Sequence, residues 1–248
     1  MFPIRDHNPS RSTPWVTWGL IAINVVVWLW TLAIAPDDRS LFQLYYDYAM
    51  IPARISAGEN PTSLITSIFL HAGFWHLAGN MLFLWIFGDN MEDEMGHLGF
   101  LVFYLACGAA ADLAQWAAEP WSPIPTVGAS GAIAGVMGGY LLFFPKAKVD
   151  ILIFLVVFIR IIPIPAWIML GLWFALQLFS GIGADAAEGG VAYWAHAGGF
   201  VIGLVFALPV FLRLGGPAFW TRTEGHPPHP DAEYKLRQTS VPRVDRRR

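Results

Sequence analysis

The sequence predicts an all-α integral membrane protein: six transmembrane helices with an interfacial first loop. Three observations lead there. Of the 248 residues 56% are hydrophobic and only 13% charged, against roughly 45–50% and 25% in soluble domains. Mean hydropathy is +0.50, an apolar excess that a soluble protein of this size could not bury. The apolar residues also fall into six stretches, at 16–35, 64–88, 97–118, 128–144, 164–182 and 191–212, with Asp112 the one full charge inside them. A bilayer core needs about 20 apolar residues per helix. The same numbers exclude a soluble enzyme, a secreted mini-protein and a disordered chain. The net charge of −3 argues against nucleic acid as a partner. With Cys107 alone, an internal disulfide and a cysteine zinc site are ruled out.

Residues 1–14 carry Arg5 and Arg11 and read as a cytoplasmic N-terminal segment. The first stretch is 20 residues long, rich in Trp and Val, and ends without a small-x-small cleavage signal, so it is a retained span. Residues 36–63 mix charges with Leu41, Phe42, Leu44, Tyr45, Tyr46 and Tyr48, the pattern of an amphipathic segment lying at the interface. An acidic turn, Gly88 to Glu94, follows the second span. The fourth span is short: 17 residues at ~1.5 Å each cover about 26 Å of a ~30 Å core. Its start is therefore expected below the outer surface, after Trp121-Ser122-Pro123-Ile124-Pro125. Residues 149–163 are apolar but interrupted by Arg160 and closed by Pro163 and Pro165, which places them near the cytoplasmic surface with Arg160 snorkelling to water. The fifth span starts at the prolines, tolerated in a first turn. The chain thus divides into 1–14, a membrane domain over 15–214, and a charged, proline-rich tail over 215–248 expected to be cytoplasmic and disordered. Lys146, Lys148 and the basic residues of the tail join Arg5 and Arg11 on the inside, so both termini are expected in the cytoplasm.

Polar residues inside a span are costly and mark candidate sites. His71, His76 and Asn80 lie in the second span, Ser130 opens the fourth, and His196 lies early in the sixth. These three spans run in the same direction, so Ser130, His76 and His196 share one depth on the outer side. His76 and Asn80, four apart, share a helix face. A serine at a recessed helix N-terminus has free N–H groups and a positive dipole end beside it, the donors an oxyanion needs. Gly131-x3-Gly135 and Gly199-x3-Gly203 let two backbones approach closely, which would bring Ser130 within reach of His196. A serine becomes a competent nucleophile once a neighbouring base takes its proton.

Gly128-Ala129-Ser130-Gly131, Ala195-His196-x2-Gly199-x3-Gly203 and His71-x4-His76-x3-Asn80, in that arrangement on spans four, six and two, resemble the motifs of the rhomboid intramembrane serine proteases. The resemblance covers about residues 15–214 and implies a six-helix rhomboid-like bundle. It implies Ser130 as nucleophile, His196 as general base and then acid, and an oxyanion hole of His76, Asn80 and the Ser130 backbone N–H. It also implies structural support from His71, Gly128, Gly131, Gly199, Gly203 and Glu92, the last tying helix ends together, with no cofactor or metal. The implied partners are the bilayer and transmembrane protein substrates, mostly single-pass, reaching the site between spans two and five under a loop at 183–190. With a short N-terminus lacking transit-peptide character, it implies a bacterial plasma membrane. Two departures stand out: Ala134 occupies a position where some relatives carry an aromatic that packs on the catalytic histidine, and the first loop lacks a Trp-Arg pair, having only Arg54 after Pro52-Ala53.

Each residue also has a plainer reading alone: Ser130 and the glycines as packing residues, His76 and Asn80 as a helix–helix contact, Asp112 as a polar contact. The main alternative function is a non-proteolytic rhomboid-like protein that binds membrane clients. Such proteins generally lack the serine or histidine, and this chain has both. A transporter would call for more intramembrane carboxylates and paired halves, and a bis-histidine haem protein would use His76 and His196.

Overall fold

A computed structural model describes residues 2–8, 10–155, 158–183 and 190–228. A short strand β1 (Phe2–Asp6) precedes α1 (Trp15–Ile34), which is followed by α2 (Asp38–Tyr48), α3 (Pro52–Ser56) and α4 (Ser63–Thr66). Then come α5 (Phe74–Met95), α6 (His97–Ala118), α7 (Ser130–Phe143), β2 (Lys148–Leu155), β3 (Phe158–Pro165), α8 (Ala166–Gly183), α9 (Tyr193–Arg213) and α10 (Pro217–Thr223). Helices α1, α6, α8 and α9 are long and apolar enough to cross a bilayer. The other two expected spans fall on α5, which ends in an acidic run, and on α7. At 14 residues and ~1.5 Å per residue, α7 is about 21 Å long. It lies at the centre: eleven of its residues, including Met137, Tyr140 and Phe143, are buried among α5, α6 and α9.

In the first loop α2 is started by Asp37, whose side chain accepts from Ser40 N at 2.9 Å. Arg54 stays within this loop, bonding Glu59 at 3.1 Å and stacking over the Tyr46 ring. The stretch 64–88 is not one helix. It forms α4 and a single 3-10 turn over Ser67–Phe69, then breaks at Leu70, which is extended, so His71 precedes α5 rather than sitting within it. Nor is 88–94 a turn. No helix breaker intervenes before Gly96, whose φ of +73° ends α5, so the acidic run is helical.

That run anchors the N-terminal segment. Glu92, 1% exposed, accepts from Val16 N at 2.9 Å, Thr17 N at 2.8 Å and Thr17 Oγ1 at 2.7 Å, so a carboxylate from α5 caps α1, which has no side-chain cap of its own. His97 Nδ1 donates to Glu92 Oε1, the oxygen that Val16 N also reaches, at 2.5 Å. Asp93 accepts from the Arg11 and Ser12 backbone at 2.6 and 3.1 Å. Replacing Glu92 by alanine orphans two buried N–H groups and a hydroxyl. The expected loss is about 2–4 kcal/mol of stability, read as a lowered unfolding midpoint in detergent; an unchanged midpoint contradicts the capping role.

The described residues within 149–163 are strands, not an irregular apolar stretch. β2 pairs antiparallel with β3 from Lys148↔Pro165 to Leu155↔Phe158, and with β1 through Phe2↔Leu152 and Asp6↔Val149. The stretch is rich in Ile and Val, which fit a pleated surface. Pro163 and Pro165 are tolerated because β3 is an edge strand. Val149 and Ile151 face the core and Arg160 is exposed. Asp150 joins β1 to β2 by accepting from Arg5 Nε and His7 Nε2, each at 2.7 Å. The tail begins in order rather than disorder: α10 buries Phe219 against Phe143, Phe144 and Phe211, because its aromatic face completes the core. The rest of the expected tail, from 229, lies outside the described residues. β1, the sheet and α10 thus gather at the C-terminal end of α7, and the first loop with 119–127 at its N-terminal end, joined by Met50 and Thr126.

Candidate active site

Ser130 is the first residue of α7. The chain enters that helix through Gly128, whose φ of +125° side chains rarely tolerate. The Gly128 N–H donates to the Ser67 carbonyl at 3.0 Å, and the Ser67 hydroxyl donates to Asp112 at 2.6 Å. The Asp112 carboxyl of α6 therefore supports, through Ser67, the turn before the serine. A Cβ on Gly128 would lie 2.8 Å from His76 Cε1 and Nε2 and 3.6 Å from Asn80 Nδ2. His76 and Asn80, one turn apart on α5, thus press against the residue two before Ser130.

His196 lies in the first turn of α9. Gln115 on α6 fixes that turn, its Oε1 accepting from Ala195 N at 3.1 Å. The backbones of α7 and α9 touch: a Cβ on Gly199 would collide with the Gly131 carbonyl, and one on Gly203 with the Gly135 carbonyl. A Cβ on Gly131 would lie 2.6 Å from Ala111 Cβ, so α6 closes on the same spot. With no side chains between the helices, Ser130 Oγ and His196 Nε2 come within hydrogen-bonding distance, 2.7 Å apart.

The pair opens onto a cavity of about 570 Å³, lined also by His76, Asn80, Met137 and Trp173. Asn80 is 7% exposed, and its Nδ2 has no hydrogen-bond partner among the described residues. The first N–H groups of α7 have no carbonyl one turn back. A buried amide donor and a helix N-terminus therefore border the same cavity as the serine hydroxyl, donors of the kind that stabilise a negatively charged oxygen. His71 is buried, and its ring meets His76 edge-on with centroids 5.1 Å apart. Neither of its ring nitrogens has a partner of normal hydrogen-bond geometry among the described residues.

Sequence reasoning places the fifth span, which is α8, but misses what that helix brings to His196. The ring facing His196 is Trp173, centroid to centroid 5.9 Å at 33°, so the position of Ala134 on α7 is not where that contact comes from. Gln177, one turn on, also reaches His196. The rule that singled out the other residues, a polar side chain inside a span, applies equally to Gln177. The loop expected to cover the site, 183–190, falls for residues 184–189 outside the described residues.

Helices of membrane-spanning character around a serine–histidine pair, set at the head of a short central helix, define an integral membrane protein of intramembrane-protease architecture. Residues 59–213 match the rhomboid domain, and the chain belongs to the rhomboid family. It is 31% identical over 206 residues to "Rhomboid protein 1, mitochondrial" of Saccharomyces cerevisiae, covering 77% of this chain and 52% of that protein. It is 32% identical over 131 residues to "Rhomboid-like protein 11, chloroplastic" of Arabidopsis thaliana, covering 53% of this chain and 42% of that one. Over 78 residues, 32% of this chain and 15% of the relative, it is 45% identical to "Rhomboid protease GluP" of Bacillus subtilis. The chain thus spans about half the length of the first two relatives.

Proposed function

We propose that this chain is an intramembrane serine endopeptidase that cuts transmembrane segments of membrane proteins through a Ser130–His196 dyad. The observation that carries the reading is the 2.7 Å contact from Ser130 Oγ to His196 Nε2 at a helix N-terminus facing a cavity. In this reading Ser130 Oγ attacks the scissile carbonyl carbon while its proton passes to His196 Nε2. The oxyanion accepts hydrogen bonds from Asn80 Nδ2, His76 and the Ser130 N–H. The imidazolium then gives its proton to the leaving amine, and the peptide bond breaks. Water, deprotonated by the same nitrogen, hydrolyses the acyl-enzyme and frees Ser130.

His71, Gly128, Gly131, Gly199, Gly203 and Glu92 act through shape: the glycines admit the approach of helices, and Glu92 holds the α1–α5 junction. The distribution of Lys and Arg supports a topology with both termini in the cytoplasm and the cavity on the outer side. The relatives carry mitochondrial, chloroplastic and bacterial names, so family membership speaks for a membrane and not for one compartment.

The test uses purified chain in detergent with a fluorophosphonate probe and a single-span reporter protein. Labelling and cleavage are expected from the native chain and from neither assay with Ser130→Ala; equal cleavage by both rejects the dyad. Replacing Asn80 by alanine removes one oxyanion donor. It is expected to lower kcat on the reporter about 10²–10³-fold with KM little changed; an unaltered kcat removes Asn80 from the oxyanion hole.

A further inference from the structure

We infer that Gln177 on α8 is a positioning residue, the acceptor that sets the tautomer and direction of the His196 ring; the inference rests on the dyad reading above. His196 Nδ1 lies 2.8 Å from Gln177 Oε1 while Nε2 lies 2.7 Å from Ser130 Oγ. A neutral imidazole has one N–H and one lone pair. The amide oxygen can only accept, so the proton sits on Nδ1 and the lone pair on Nε2 faces the serine hydroxyl. That is the form that can take the serine proton.

The amide is itself oriented. Its Nε2 donates to the Trp173 carbonyl one turn back, at 3.4 Å, which turns Oε1 towards the histidine. Trp173 places its ring against the imidazole from the same helix face, 5.9 Å between centroids. One turn of α8 therefore fixes the ring twice, by a hydrogen bond along its edge and by a ring against its face. Nucleophile, base and orienting group come from α7, α9 and α8. The orienting group is a neutral amide where other serine hydrolases place a carboxylate. In the apolar surroundings of a span, an amide satisfies Nδ1–H without the penalty of a buried charge. As the imidazole becomes imidazolium it keeps the Nδ1–H bond, which strengthens when the donor is charged. Gln177 thus acts on the step in which Ser130 loses its proton, not on substrate binding.

The experiment uses the full chain in detergent with the single-span reporter and the fluorophosphonate probe. Gln177→Leu keeps the size, deletes the acceptor and suits a membrane helix. It is expected to lower kcat and the rate of probe labelling about 10–100-fold, with KM and the unfolding midpoint near native values. Gln177→Glu restores an acceptor at the same reach and is expected to recover activity to within a few-fold of native. In 15N spectra of histidine-labelled chain, the Nδ1–H tautomer signature of His196 should be present in the native chain and lost in Gln177→Leu. Three results overturn the inference: native kcat in Gln177→Leu, a loss confined to KM or to the unfolding midpoint, or Gln177→Glu as impaired as Gln177→Leu. Cleavage by Ser130→Ala at the native rate would instead reject the dyad, so the two failures are distinguishable.

Discussion

Ser130→Ala, His196→Ala and the double variant are each expected to reduce reporter cleavage to background, with the double no worse than either single. The reason lies in the division of labour. In the proposed mechanism Ser130 Oγ forms the new bond and His196 Nε2, 2.7 Å away, takes its proton, so neither atom is expected to work without the other. Groups that act as one unit give losses that do not add, on the order of 10⁴-fold or more for the unit as a whole. The fold should survive all three changes. Ser130 contributes one partly buried hydroxyl, and α9 keeps its anchor through Gln115 to Ala195. Unfolding midpoints within a few degrees of native are therefore expected. Losses that multiply in the double variant would mean that the two side chains act at separate steps, and the dyad reading would fail.

The second large effect is expected far from any reacting atom. Gly199→Val puts three carbons where a single Cβ already collides with the Gly131 carbonyl and comes within 3.2 Å of Ala111 Cβ. Backbone cannot rotate aside as a side chain can, so α9 must move away from α7. Overpacking of this kind costs about 1–3 kcal/mol or more. The larger consequence is for the dyad, because Gly131 follows Ser130 and Gly199 lies three residues after His196. A displacement of about 1 Å at that contact costs on the order of 10²-fold in rate. A lower unfolding midpoint together with at least that loss of kcat is expected. Gly171 on α8 supplies the control: a Cβ there meets nothing within 4 Å, so Gly171→Ala should cleave as the native chain does. A folded Gly199→Val of full activity would refute the close-packing argument.

The acidic run after the second span shows how a correct motif and an incorrect local structure can coexist. The resemblance marks Glu92 as a residue tying helix ends, and its carboxylate bonds Val16 and Thr17 at the start of α1. Charge density in a chain of spans suggests a loop there, yet the run is helical. Asp93 and Glu94 stay helical because the segment at Arg11 and Ser12 binds them. These contacts cross about eighty positions of sequence and leave no local trace.

Composition and spacing were enough for the membrane class and the helical character, and they single out Ser130, His196, His76 and Asn80, which line one cavity. Lipid as a solvent imposes long apolar runs, and it makes each polar residue within them conspicuous. The close approach at Gly131 and Gly199 was also legible, since small residues at four-residue spacing have few other uses in a membrane helix.

What required the folded chain was everything set by partners distant in sequence. The strands over Lys148–Leu155 and Phe158–Pro165 look like any apolar stretch until β1 pairs with them. Helix α10 forms where Phe219 finds a gap among Phe143, Phe144 and Phe211. The orientation of the His196 ring is set by Trp173 and Gln177 from a neighbouring helix. Short apolar segments carry no periodicity that separates strand from helix, and a hydrogen bond between helices depends on their rotation and height, which only packing supplies.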